Sequence, residues 1–192
     1  MMKMPNLGLG TFRLKDQPLR DSLLQGLDLG YRHIDTAQIY DNEAEVGQLM
    51  SESGVPRQDI YLTTKVWISE FGPGKVIPSL ELSLEKLGTD YLDLALIHWP
   101  SPQDEVPMAV YLEQLAEAKA QGLTREIGVS NFTVAQLQQA IEILGRAPSP
   151  TSRWRSTPCC KTARWWRSAR STASPSPPIC RWPMARCSPS RS

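Results

Sequence analysis

Four polar residues with complementary chemistry stand at or just past the ends of predicted strands: Asp35, Tyr40, Lys65 and His98. A tyrosine hydroxyl is a weak acid at neutral pH, with a pKa of about 10, and a neighbouring ammonium group favours its phenolate form. A carboxylate can hold the lysine in place, and an imidazole can orient a carbonyl group or share its proton. The set is therefore suited to protonating a carbonyl oxygen while a hydride reaches the carbon.

Each of these residues also has an ordinary structural interpretation when it is taken alone. Asp35 would cap a strand end, and Tyr40 would pack half-buried. Lys65 would be a solvated charge, and His98 would be a satisfied core histidine. Their joint placement at successive strand ends favours a catalytic role. Two alternatives stay open: isomerisation or decarboxylation through a Schiff base on Lys65, and a non-catalytic barrel fragment that binds or regulates.

The elements that must position these residues alternate between strand and helix, and glycines mark the helix ends. The predicted strands cover residues 6–10, 31–35, 60–64, 92–97 and 126–129, and the predicted helices cover residues 18–29, 43–53, 73–87, 106–121 and 133–144. Asn42 with Glu45, and Thr133 with Gln136, have the spacing of capping boxes. Short connections between alternating elements predict parallel strands joined by right-handed crossovers.

Two α/β architectures fit this alternation: a doubly wound open sheet and an eight-fold barrel. The open sheet predicts a glycine-rich phosphate loop after the first strand. The segment from Gly8 to Arg13 begins like such a loop, but Arg13 stands where the third glycine belongs. A partial motif of this kind is weak evidence. The barrel is therefore favoured, and in a barrel the carboxyl ends of the strands form one active-site face.

Four segments resemble the signatures of the aldo-keto reductases. They are Gly30 to Tyr40, Thr64-Lys65, Asp90 to Pro100 and Ile127 to Phe132, in the family's order and spacing. The resemblance runs from about residue 5 to residue 147. Within the family it is closest to the bacterial enzymes that reduce 2,5-diketo-D-gluconate and methylglyoxal.

The resemblance implies a (β/α)8 barrel of the TIM type, of which about the first five β/α units are present, and NADPH as hydride donor for small aldehydes and ketones. It makes Tyr40 the general acid, Lys65 and Asp35 the pair that tunes it, and His98 the group that orients the carbonyl. It also implies a cofactor-binding set and a substrate pocket: Gly10, Thr11, Asp35, Ser130 and Asn131 for the cofactor, and Trp67 and Trp99 for the substrate.

The composition changes sharply near residue 150. Residues 1–150 hold 12 Lys and Arg, all 20 Asp and Glu, and no cysteine; the remainder holds nine basic residues, no acidic ones and all four cysteines. We expect a partial barrel over residues 1–147 and a disordered basic tail over residues 148–192. The cysteine-free first part, the lack of a leader peptide and the lack of a long apolar run predict a cytoplasmic protein that does not bind membranes. We also expect a monomer. No metal site is expected, since the cysteines lack paired spacing.

The tail is best interpreted as the product of a shifted reading frame rather than as a nucleic-acid-binding segment. Codons exist for Cys159 to Arg167 that read LLQNRKVVE in the adjacent frame, and residues 172–187 permit HGIAVTSYMPLAYGKV. Both strings resemble later strand regions of the family. A slip of one base between about Ala147 and Ser152 would remove three strands and the adenosine 2′-phosphate site. We therefore expect the chain to bind NADPH weakly and to turn over negligibly.

Overall fold

In the computed structural model, residues 3–145 are described, and they form five strands that alternate with five helices. The strands are β1 (Leu9–Gly10), β2 (His33–Asp35), β3 (Tyr61–Val66), β4 (Leu92–Ile97) and β5 (Thr124–Val129). The helices are α1 (Asp16–Asp28), α2 (Glu43–Glu52), α3 (Val76–Leu87), α4 (Met108–Ala120) and α5 (Val134–Gly145). The predicted tail, and with it the reading-frame interpretation, lies outside the described residues.

The sheet is parallel throughout, and its strands are ordered β1-β2-β3-β4-β5. A doubly wound sheet reverses its strand order at a switch point, whereas a β/α barrel adds each strand beside the previous one. The uninterrupted order therefore confirms the barrel prediction for its first five β/α units. It also brings the carboxyl ends of all five strands to the same edge.

Strands β3 and β4 are buried along their whole length, as strands covered on both faces should be. One face of the sheet contributes Ile34, Leu62 and Ala95 to the main core, which contains apolar residues of all five helices. The other face carries a smaller cluster of Tyr61, Leu94 and Leu96. Since burying a leucine side chain contributes roughly 1.5–3 kcal/mol, the helix-facing side supplies most of the stabilisation.

The amino end of the sheet is braced by a stack of three side chains. The guanidinium groups of Arg57 and Arg125 lie 4.2 Å and 3.9 Å from the centroid of the Tyr91 ring. Both arginines also pair with the buried carboxylate of Asp93, at 3.0 Å and 3.1 Å. The backbone N–H of Leu62 donates to the same carboxylate at 3.0 Å. This stack ties β3, β4 and β5 together at the end opposite the predicted active site.

Two local predictions need correction. The predicted third strand stops at Thr64, but β3 continues through Val66 because Lys65 and Val66 pair with Leu96 and Ile97 of β4. Lys65 therefore lies inside a strand instead of following it. The predicted capping box at Asn42 is also wrong, since the Asn42 side chain makes no cap hydrogen bond.

The second predicted capping box is present ahead of α5. The Thr133 N–H donates to Oε1 of Gln136 at 3.0 Å, and the Gln136 N–H donates to the Thr133 hydroxyl at 3.3 Å. Both residues are exposed and, among the described residues, their side chains also bond to each other at 3.0 Å, which explains why the local rule holds here.

Candidate active site

The four predicted catalytic side chains lie together at the carboxyl edge of the sheet. Asp35 ends β2, Lys65 is the penultimate residue of β3, and His98 directly follows β4. Tyr40 ends a 3₁₀ turn, Gln38–Tyr40, between β2 and α2. Because neighbouring parallel strands end side by side, a single edge collects groups that are far apart in the chain.

Lys65 is the centre of the cluster. Its Nζ donates to Oδ1 of Asp35 and, at 2.8 Å, to the backbone carbonyl of Thr36. The same ammonium lies 5.1 Å from the centroid of the Tyr40 ring. The His98 ring stands edge-on to Tyr40, with a centroid separation of 5.7 Å and an interplanar angle of 80°. The structure thus places the Lys65 ammonium between the Asp35 carboxylate and the Tyr40 ring, with His98 against that ring.

The imidazole of His98 is neutral at physiological pH. Burial, reinforced by the charge of Lys65 and partly offset by Asp35, lowers the pKa of His98 to about 4. A neutral ring has one N–H donor and one acceptor nitrogen, so it can orient a carbonyl oxygen without adding a second cation. Within residues 3–145, its buried Nδ1 has no hydrogen-bond partner.

The backbone around Asp35 is held by the loop after β1. Thr11 contacts the Asp35 carbonyl twice, through its N–H at 3.0 Å and its hydroxyl at 3.2 Å. The side chain of Asn42 donates to the Thr11 and Leu14 carbonyls at 3.0 Å and 2.9 Å and accepts from the Thr36 hydroxyl at 2.9 Å. These tertiary partners explain why Asn42 does not cap α2.

Neighbouring side chains of β3 point to opposite faces of the sheet and make different contacts there. The Thr64 hydroxyl donates to Oε1 of Glu43 in α2 at 2.6 Å, so this side chain faces the helices. Its neighbour Lys65 faces the opposite side and reaches Asp35. Burial raises the pKa of Glu43, while the hydroxyls of Thr64 and Ser83 oppose that rise. A buried acid therefore anchors the helix layer directly behind β3.

The predicted cofactor residues other than Asp35 lie at the carboxyl ends of β1 and β5. Gly10 is exposed with open space where a Cβ would be, whereas Thr11 is buried against Asp35. Ser130 directly follows β5, and its N–H donates to the Ile97 carbonyl at 2.9 Å. Asn131 adopts a left-handed backbone, with φ of 62°, and its side-chain nitrogen donates to the His98 carbonyl at 2.8 Å.

The hydrogen-bond donors and acceptors of these residues match those of the nicotinamide part of NADPH. A carboxamide needs a donor and an acceptor, and the hydroxyl of Ser130 and the amide of Asn131 supply both. The open space at Gly10 leaves room beside the end of β1. Ser130 and Asn131 would hold the carboxamide, and Gly10 would let the cofactor approach the backbone closely.

Aromatic side chains flank the polar cluster. The Trp67 ring lies 5.2 Å from His98 at an angle of 74°, and Trp99 is 47% exposed. Phe12 was not predicted as a site residue, yet its ring lies 5.1 Å from Tyr40 and its side chain is 58% exposed. Its place directly after Gly10 and Thr11, in the loop after β1, was the available signal. Because its exposed ring packs against Tyr40, the predicted general acid, Phe12 is a candidate substrate contact.

Within residues 3–145, no three His, Cys, Asp or Glu side chains come close enough to hold a metal ion. Across the same residues, no helix has the length and apolarity needed to cross a bilayer.

A sequence model of the aldo/keto reductase family matches residues 6–155. The chain therefore belongs to the aldo/keto reductase family, as its fold and the cluster around Lys65 indicate.

Several individual relatives and solved structures are similar to this chain. Methylglyoxal reductase DkgB of Escherichia coli O157:H7 is 58% identical over 144 residues, which cover 75% of this chain and 54% of that protein. A provisionally assigned 2,5-diketo-D-gluconic acid reductase B has a TM-score of 0.73 at 43% identity, over 87% of this chain and 58% of that one. An aldo-keto reductase of Bombyx mori, in complex with NADP, has a TM-score of 0.71 at 32% identity, over 88% and 60%. The chain spans about half the length of the curated relatives it matches.

Proposed function

We propose that this site reduces the carbonyl group of a small aldehyde or ketone with NADPH. The single observation that carries the proposal is the position of the Lys65 ammonium, which is bound by Asp35 and lies beside the Tyr40 ring and His98. Such a cluster offers a proton where a carbonyl oxygen gains negative charge. The names of the relatives support methylglyoxal and 2,5-diketo-D-gluconate as substrates to test first.

When it is bound, the nicotinamide supplies the hydride. Tyr40 donates its hydroxyl proton to the carbonyl oxygen, and the Lys65 ammonium stabilises the phenolate that remains. Asp35 holds Lys65 in this position and compensates its charge. The neutral imidazole of His98 donates an N–H to the same oxygen and thereby orients it. The aromatic rings of Phe12 and Trp67 limit the entry of water to the cluster.

We also propose that the 192-residue chain turns over slowly and binds NADPH weakly. Within the described residues, β1 and β5 each have one neighbour in the sheet, so both outer edges lack a pairing strand there. A closed barrel pairs every strand and surrounds the site on all sides. The monomeric state, the cytoplasmic location and the division at residue 147 stay predictions from the sequence.

A chimera separates the chemistry of the site from completeness of the barrel. Residues 1–145 of this chain are joined to the corresponding C-terminal part of the Escherichia coli methylglyoxal reductase, and NADPH oxidation is followed with methylglyoxal. We expect the chimera to be active and the 192-residue chain to be far slower. Tyr40→Phe should lower kcat/KM of the chimera by roughly 10²- to 10⁴-fold, the usual contribution of a general acid.

Tyr31→Phe is the matched control, because Tyr31 is half-buried just ahead of β2 and lies outside the cluster. It should leave kcat/KM within about twofold of the parent chimera. A folded chimera without activity, or one in which Tyr40→Phe behaves like Tyr31→Phe, would refute the assignment. That result would favour the non-catalytic binding or regulatory role instead.

A further inference from the structure

The amide of Gln38 connects three separate parts of the fold. Its Oε1 accepts the backbone N–H of Trp67 at 2.9 Å, at the start of the β3–α3 loop. Its Nε2 lies 3.1 Å from the Ser79 carbonyl, 3.2 Å from the Ser79 hydroxyl and 3.1 Å from the Ser83 hydroxyl, all in α3. Gln38 also begins the 3₁₀ turn that ends at Tyr40. One side chain thus fastens the turn of Tyr40 to the next loop and to the helix behind it.

The two residues linked in this way both pack against His98. The Tyr40 ring approaches the imidazole edge-on at 5.7 Å, and the Trp67 ring approaches it at 5.2 Å. Tyr40 belongs to the turn that contains Gln38, and Trp67 is hydrogen-bonded to the Gln38 side chain. The distance between these two rings therefore depends on the Gln38 amide.

Trp67 is only partly packed. A groove of about 570 Å³ opens on the side of the turn that faces α3, and Gln38, Trp67, Ser79 and Ser83 are among its lining residues. A side chain that borders open space lacks partner atoms there, so fewer contacts restrain it. The hydrogen bond from the Trp67 N–H to Gln38 is consequently a main restraint on this residue.

We propose that Gln38 is a positioning residue that holds Trp67 against His98 and thereby fixes the width of the cleft between Trp67 and Tyr40. This inference rests on the proposed function, because the cleft between Trp67 and Tyr40 would be where the carbonyl compound enters. Asn42 makes the equivalent connection on the other side of Tyr40, to the loop after β1. Amides two residues before and two residues after Tyr40 thus tie its turn to both neighbouring loops.

The test uses the full chain and needs no turnover. Gln38→Met keeps the size of the side chain and removes its hydrogen bonds, whereas Gln38→Glu keeps an oxygen for the Trp67 N–H. Gln48→Leu serves as the control, because it removes an exposed amide whose side-chain bond within residues 3–145 is to Glu52 in α2. NMR then follows the exchange of the Trp67 amide proton and the protonation of the two histidines in the chain.

We expect the Trp67 amide to exchange about fivefold faster in Gln38→Met, the factor that corresponds to one ordinary hydrogen bond. It should stay protected in Gln38→Glu and in Gln48→Leu. If Gln38→Met does not fold, Gln38→Asn replaces it, because the shorter amide cannot reach both Trp67 and α3. Unchanged exchange of the Trp67 amide in the folded variant would overturn the proposal.

Protonation of His98 gives the second readout, because Trp67 helps to bury the imidazole. With a pKa of about 4, roughly a tenth of the His98 rings are protonated at pH 5. The charged groups that face His98 are Lys65 and Asp35, with the Tyr40 phenol beside them, and all three are unchanged in these variants.

Gln38→Met should raise the protonated fraction of His98 at pH 5 at least threefold, since a displaced Trp67 exposes the ring. His33 is the internal reference and should titrate as before, because it packs against Tyr61 and Thr63 instead. Equal shifts at both histidines would indicate general loosening and would also overturn the proposal. An inactive chimera would refute the proposed function and leave both of these readouts unaffected.

Discussion

Replacing Asp93 by asparagine tests how the sheet is held at the end away from the proposed active site. The carboxylate is 3% exposed and accepts from Arg57, from Arg125 and from the backbone of Leu62. Asparagine has almost the same shape but carries no charge, and only one of its two terminal groups accepts a hydrogen bond. The substitution therefore isolates the contribution of the charge from that of packing.

The expected loss follows from the way in which the two carboxylate oxygens are used. Oδ2 serves Arg57 and Leu62, and Oδ1 serves Arg125. The asparagine oxygen can take over the Oδ2 position, and Arg125, which is 36% exposed, can turn to water. Since one charge-assisted bond contributes about 1.5–3 kcal/mol, we expect Asp93→Asn to lower the free energy of unfolding by roughly 2–3 kcal/mol.

Asp93→Leu should cost more, about 3–5 kcal/mol. It leaves the Leu62 N–H without a partner and both guanidinium groups without their shared anion. Both values are measured by urea denaturation followed by circular dichroism. Asp90→Asn, an exposed carboxylate three residues earlier, should change the stability by less than about 0.5 kcal/mol.

A result within about 0.5 kcal/mol of the parent for Asp93→Asn would contradict this reasoning. It would mean that Arg57 and Arg125 are held by their stacking on Tyr91 and not by the buried carboxylate. Equal losses for the asparagine and leucine variants would show that the charge, which both variants lack, accounts for the whole loss, and that the acceptor for the Leu62 N–H contributes little.

Three further changes test other contacts. The pKa of His98 is about 4 in the folded chain and 6.5 in the usual case, so the unfolded chain takes up the proton first as the pH falls. The free energy of unfolding should therefore drop by at most about 3 kcal/mol between pH 6.5 and 4, and His98→Gln should lack that drop. Burial raises the pKa of Glu43, so its contribution is greatest below the usual 4.5 and declines as the pH rises; denaturation curves of Glu43→Gln should lack this decline. Gly47→Ala would place a Cβ 2.6 Å from the Leu87 backbone, so its melting temperature should fall, with a loss of roughly 1–3 kcal/mol.

Strand–helix alternation predicted the order of elements and the convergence of Asp35, Lys65 and His98. That part of the site follows from topology, because parallel strand ends meet at one edge wherever the individual strands begin. The end of β3 did not follow, since the pairing of Lys65 and Val66 with β4 depends on a neighbour 31 residues further along the chain. Pairing partners of this kind are not written in the local pattern.

Side-chain partners were the least predictable part of the site. Asn42 has the residue type and spacing of a helix cap, but its Oδ1, the atom that would cap, accepts from the buried Thr36 hydroxyl, and its Nδ2 donates to carbonyls of the loop after β1. Phe12 was missed because an exposed aromatic residue in a short loop gives no periodic signal. Its importance follows only from its contact with Tyr40. Both cases depend on tertiary contacts that the local sequence does not reveal.

The adjacent positions Thr64 and Lys65 make the length of β3 unusually sensitive to insertion or deletion. Loss of a single residue upstream in this strand would exchange their faces, which would put the Lys65 ammonium among the helices and the Thr64 hydroxyl on the face that Lys65 now occupies. The loops on either side can vary in length without this exchange. During divergence of such a barrel, substitutions can accumulate in β3, whereas an insertion or deletion in this strand would disrupt the contacts on both faces of the sheet.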